Sequence, residues 1–375
     1  MILNVDSQTE LSGFYVIYNG TVINEKSGIY GISHLIEHLM SHNINDELVE
    51  KFQDSGVAWN AYTSPTNIVF YLSGLDKHVS KYKYEFLDRL KYLNLTPNEF
   101  ELEKTILLEE YTSIFNMQST SHLLNLYRKL FDSYNTIGRK KDIERLTLDV
   151  CQTHFSTYFS KPSKIINVSK NSLFKSDIEF NNFNNHHHIK YDFNSNAEYD
   201  RHTSILNKSS VIYLSPIIES DWPVIFFINY LLSNGINSPL YKNIRKKSGL
   251  AYYIRCNLDR MSDYSGLNII STETDDDKVE RLMEAIDETL SDLSFLTRAK
   301  FEQVKNSIIN KIDTVDINRH SNVETYIKPD TWAIESNIHN ISYNNVVETY
   351  MKYYKVENFY KSVDKLEFNK RDFLK

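Results

Sequence analysis

Cysteine occurs only twice in 375 residues, at Cys151 and Cys256. Two thiols so far apart form no disulfide framework, which fits a reducing compartment. No basic block stands out, and a net charge of −7 argues against nucleic acid as the main partner. No apolar run is long enough to span a bilayer, because the longest, near Pro223 to Leu232, is short and contains Asn229. Strand and helix patterning begins within a dozen residues of Met1, leaving no room for a signal or transit peptide, so a cytoplasmic location is expected. Hydrophobic content of 41% and charged content of 24% are ordinary globular values, and the length allows two domains with separate cores. The abundance of Asn, Lys, Ile and Tyr points to an AT-rich genome, a phage or virus being one such source acting in a host cytoplasm.

What the chain does have is concentrated in His34-Leu35-Ile36-Glu37-His38, an H-x-x-E-H block. On a helix, His34 and His38 project from one face one turn apart, the separation two imidazoles need to share one Zn²⁺. Glu37 lies close to that face without being forced to ligate, so it is free to serve as a base toward water. The block reverses the commoner H-E-x-x-H order and has the inverzincin pattern. Surface histidines on an ordinary amphipathic helix are the bland alternative.

A hydrolytic zinc site needs a third protein ligand and an open fourth position. The stretch Thr96-Pro97-Asn98-Glu99 reads as an N-cap, a proline at the first helical position and a capping-box glutamate. Behind it Leu102, Ile106, Leu107 and Ile114 recur at helical spacing. Glu103 and Glu110 are two turns apart and share nearly one face. By itself such an acidic helix is usually a solvated face.

Together these motifs resemble the pitrilysin/insulinase metallopeptidases, which include the mitochondrial processing peptidases. The resemblance implies one zinc per chain, with His34, His38 and Glu110 as ligands, Glu37 as the base and Glu103 as a supporting carboxylate. The interval from His38 to Glu110 is a few residues short for the family, so Glu109 and Glu103 stand as alternatives for the third ligand. Trp59-Asn60-Ala61-Tyr62-Thr63 and Ile68-Val69-Phe70-Tyr71-Leu72 look like the family's N-A-x-T strand pair. That likeness implies that Asn60 and Ala61 bind substrate backbone as an added strand. Leu39-Met40-Ser41-His42-Asn43 reads as a short loop where the family has a glycine-containing segment. His42 is expected to serve a helix C-terminal dipole rather than the metal.

The second half carries a looser match. Leu232-Ser233-Asn234-Gly235-Ile236-Asn237-Ser238-Pro239-Leu240, then Arg245 and Gly249-Leu250-Ala251-Tyr252, look like the family's C-terminal signature. There an arginine and a tyrosine seven apart reach the substrate and the developing oxyanion. Without that pattern Arg245 reads as a surface salt bridge and Tyr252 as one of 26 tyrosines.

One plan repeats along the chain: strand, helix, strands, long helices. The expected organisation is a zinc-binding catalytic domain over 1–180, an Asn/His-rich linker over 181–203, and a second, similar domain over 204–375. Sheets covered by helices, duplicated, give an α+β fold. His186-His187-His188 in the linker reads as a solvated tract rather than a metal site. The resemblance implies a zinc endopeptidase acting on extended peptides or unfolded segments. It also implies a homodimer in which each copy lends Arg245 and Tyr252 to the other's zinc. The competing expectations are a non-catalytic or partner-dependent subunit of a heterodimeric processing peptidase, and a zinc-stabilised scaffold.

Overall fold

The computed structural model describes residues 1–7, 9–131, 136–181, 208–262, 264–315 and 334–365. Beyond residue 181 the expected linker, with its triple histidine, lies outside them. The described chain forms two compact units, one of residues 1–113 and 136–181, the other of 114–131, 208–315 and 334–365. Each pairs one largely antiparallel sheet with helices, an α+β architecture as expected.

In the first unit the strands are β1 (Ile2–Asp6), β2 (Leu11–Asn19), β3 (Ala58–Thr63), β4 (Asn67–Leu75) and β5 (Lys164–Ser169), ordered β1-β5-β2-β4-β3. Only β1 and β5 run parallel. Phe14 to Tyr18 on β2 are buried on both faces, because alternate side chains meet two different apolar layers. Tyr15 and Ile17 pack with Val69, Ile166 and Val168 on one of them. The β3–β4 turn is set by Ser64, whose hydroxyl accepts from the Asn67 N–H at 3.0 Å. Among the described residues β3 is an edge strand, hydrogen-bonded only to β4.

Helix α1 (Ile32–His42) is buried almost all round. It starts from Gly31 at φ 96°, where any Cβ would be strained and would meet the Ile137 carbonyl at 3.0 Å. α1 runs on through His42, so Leu39 to His42 form its last helical turn and not the expected loop; only Asn43 lies past its end. Leu39 and Met40 are wholly buried, which rewards extending the helix. α2 (Asp46–Asp54) and α3 (Asp76–Arg89) follow. α4 (Pro97–Phe115) opens with the expected capping box: the Glu99 N–H donates to the Thr96 hydroxyl at 3.3 Å, and the Thr96 N–H to a Glu99 carboxylate oxygen at 2.6 Å.

The second unit has β6 (Lys208–Ile218), β7 (Ile254–Arg260), β8 (Ser265–Asp275) and β9 (Tyr360–Lys365) in the order β7-β8-β6-β9, all antiparallel. Tyr213, Phe227, Leu231, Ile270, Ile286 and Tyr354 belong to its core. Helix α5 (Gln118–Phe131) joins this unit, although it falls within the 1–180 span. Buried His122 explains why: its Nδ1 is 2.9 Å from the Ser210 hydroxyl on β6 and its Nε2 2.8 Å from the Ser362 hydroxyl on β9.

Candidate metal centre

The first turns of α1 carry His34 and His38, and α4 brings Glu110 and Glu103 to them. His34 Nε2 lies 3.7 Å and His38 Nε2 3.3 Å from the same Glu110 oxygen, Oε2. On the α1 side, Glu37 Oε2 is 3.8 Å from His34 Nε2. One ligand atom each from His34, Glu37 and His38 lies within 4.8 Å of the others. The two rings sit edge to face, with centroids 5.0 Å apart.

These spacings suit a small cation. Zinc bonds of about 2.0–2.1 Å place neighbouring tetrahedral ligands about 3.3–3.4 Å apart, close to the 3.3 and 3.7 Å separations of the two imidazoles from Glu110. The donor set of two imidazoles and a carboxylate is also one that zinc takes. Zinc therefore fits the residues present.

Around this centre the histidines and glutamates alternate. His38 Nδ1 faces Glu103 Oε2 at 3.6 Å, the other Glu103 oxygen is 2.9 Å from His42 Nδ1, and His42 Nε2 is 3.5 Å from Glu99. His42 thus stands at the end of α1, as expected, but reaches the centre's margin through Glu103. Glu109, the alternative ligand, is exposed. Thr63, the threonine of the N-A-x-T pattern, carried no assigned role, yet its hydroxyl donates to Glu37 Oε2 at 3.3 Å from the end of β3. The signal available was that motif threonine itself, which the sequence placed at the end of the strand without a partner.

The electrostatics divide the two histidines. Burial, helped by the neighbouring imidazole of His38, holds His34 well below its ordinary value, favouring the neutral ring a metal needs. Burial also pulls His38 down, but the Glu103 and Glu110 carboxylates outweigh it and raise the ring. Burial raises the Glu37 carboxyl, against opposition from His38 and Thr63. A raised carboxyl suits a group that must accept and return a proton near neutral pH.

Asn60 and Ala61 lie on the edge strand β3, where the Asn60 side-chain oxygen accepts from the Ala61 N–H at 2.9 Å. In the second unit Arg245 lies on a π-helical turn, Tyr241–Lys247. Its guanidinium sits 5.0 Å from the Tyr241 ring centroid and 4.1 Å from that of Tyr252. Tyr252 precedes β7 rather than lying in a strand, and is 76% exposed. The structure therefore gathers His34, Glu37, His38, Glu103 and Glu110 in one unit, and pairs Arg245 with Tyr252 in the other.

Residues 2–138 match the family described as Insulinase (Peptidase family M16), and residues 118–308 match its companion, described as Peptidase M16 inactive domain. The chain belongs to peptidase family M16. Among relatives, an uncharacterized zinc protease, YmxG of Bacillus subtilis, is 23% identical over 319 residues, covering 78% of this chain and 77% of that protein. A protease from Helicobacter pylori has a solved structure similar to this one, with a TM-score of 0.76 at 16% identity and 96% of each chain covered. The periplasmic protease PqqL from Escherichia coli gives a TM-score of 0.65 at 12% identity over 98% of this chain but only 46% of its own. These structural likenesses establish the M16 fold. Among the described residues no helix is long and apolar enough to cross a membrane.

Proposed function

We propose that this M16 chain is a zinc-dependent endopeptidase that cleaves extended peptides or unfolded protein segments. The observation that carries the reading is the convergence of His34 Nε2 and His38 Nε2 on Glu110 Oε2, with the Glu37 carboxylate alongside. His34, His38 and Glu110 would hold one zinc ion. Bound there, zinc supplies Lewis acidity, which activates water at neutral pH and polarises a peptide carbonyl.

The chain's own groups do the rest. Glu37, held by Thr63 and raised by burial, accepts the proton of the attacking water and returns it to the leaving amine. Glu103 faces His38 Nδ1 and fixes that ring's orientation and tautomer. The outer edge of β3 takes an extended backbone as a further strand, with Asn60 and Ala61 at the contact. Arg245 and Tyr252 assist the developing oxyanion. The resemblance to two-half family members implies that they do so in trans, across a two-fold homodimer. A non-catalytic role in a heterodimer is disfavoured by the intact H-x-x-E-H block. The stretch matched to the inactive domain begins at residue 118, after every residue of the proposed metal centre.

The direct test is incubation of purified protein with a diverse peptide mixture, with and without chelator, and identification of products by mass spectrometry. Cleavage that chelator abolishes and zinc restores is the expected result. No cleavage under any metal condition contradicts the reading.

A further inference from the structure

His34 and His38 are anchored differently. His38 has Glu103 at its second nitrogen, whereas the second nitrogen of His34, Nδ1, is buried and has no hydrogen-bond partner among the described residues. Among the described residues no hydrogen bond holds the His34 ring from behind, so its aim depends on the backbone beneath it. That backbone is the first turn of α1, the part of a helix most prone to fray, because its N–H groups have no partners within the helix.

The cap that holds this turn is not local. Gly31, at the N-cap position, has no side chain to offer, and α1 lacks a side-chain cap of its own. Instead Glu25, which is only 8% exposed, reaches in with both carboxylate oxygens. Oε2 accepts from the Gly31 N–H at 2.7 Å and Oε1 from the Ser33 N–H at 3.0 Å. Burial pushes this carboxyl up to about 7, against the opposing pull of the Gly31 and Ser33 N–H groups, and when ionised it also meets the positive end of the helix dipole. Gly31 is in turn pressed against Gly138, where an added Cβ would meet Gly31 Cα at 2.3 Å, and the Arg139 N–H donates to the Tyr30 carbonyl at 3.3 Å. The start of the helix is therefore clamped from two sides, and the residue immediately after Ser33 is His34.

We infer that Glu25 is a positioning residue for the metal centre: a distant N-cap that fixes the first turn of α1 and thereby aims His34, which no ring hydrogen bond orients. This rests on the zinc reading above. It assigns Glu25 no contact with metal or substrate.

The test is zinc affinity, measured by competition with a chromophoric chelator on metal-stripped protein, together with the thermal unfolding midpoint. Glu25→Ala is expected to weaken zinc about ten-fold or more, the scale on which supporting groups act on metal sites. Glu25→Gln, which keeps one acceptor oxygen, is expected to fall between Ala and wild type, and it decides the matter should Glu25→Ala not fold. Thr147→Ala removes the hydroxyl cap of another helix of the same unit, α6 (Leu148–His154), and is expected to lower the midpoint while leaving zinc affinity unchanged. Added to His34→Ala, the Glu25 change is expected to cost no further affinity, since its target is already gone. Wild-type affinity in folded Glu25→Ala or Glu25→Gln, or an equal loss in Thr147→Ala, overturns the inference. Failure of the zinc reading itself looks different: the wild type then binds no zinc and His34→Ala changes nothing.

Discussion

Nε2 of His38 stands 3.3 Å from Oε2 of Glu110, and that same oxygen is 3.7 Å from Nε2 of His34. A single carboxylate oxygen thus faces both imidazoles, while exposed Glu109 does not take part. Glu110→Ala is expected to lose most of its zinc, with Glu109→Ala close to wild type. Zinc content after dialysis checks this. Full retention by Glu110→Ala would move the ligand role to Glu103 or Glu37.

Glu37→Gln preserves size and the contact to Thr63 but cannot accept a proton from water. Zinc content is expected to stay near one per chain while peptide turnover falls by about 10² or more, the usual worth of a placed general base. Turnover within a few-fold of wild type would remove Glu37 from the base role.

The Arg245–Tyr252 stack gives a test of subunit cooperation. Glu37→Gln and Tyr252→Phe chains are each expected to be nearly inactive alone. Mixed and allowed to exchange, about half the dimers are heterodimers with one working site of two, so activity returns to roughly a quarter of wild type. No recovery despite demonstrated exchange contradicts service in trans.

His122 supplies a pH dependence away from the metal. Burial holds it at about 4, below an ordinary value of 6.5, so the unfolded chain binds its proton more readily than the folded one. Its contribution is complete above about pH 6.5 and is lost as pH falls toward 4, at up to about 1.4 kcal/mol per unit. Denaturant unfolding at pH 7 and pH 5 should show a smaller drop in His122→Asn than in wild type. Equal drops would contradict the buried neutral imidazole.

Short-range signals in the sequence proved legible wherever local chemistry sets the structure. The H-x-x-E-H spacing places two imidazoles on one helical face, and Thr96 with Glu99 marks the start of α4 through a box closed within four residues. The end of α1 was not legible, because burial of Leu39 and Met40 by the rest of the fold extends the helix. Nor was the attachment of α5, which depends on His122 meeting hydroxyls from two distant strands. Glu25 carries no local mark as a cap either, since its partners lie six and eight residues on and the turn between them is set by the Gly31–Gly138 approach. The π-helical turn bearing Arg245 left no periodic signature to read.

The most direct measurement of the metal centre is elemental analysis of the purified chain beside its His34→Ala and His38→Ala variants. Removing one of three ligands leaves an incomplete site. About one zinc per chain is expected in wild type, and a small fraction of that in either variant, with all three proteins folded. A wild-type chain that holds no zinc after incubation with zinc and removal of excess contradicts the account.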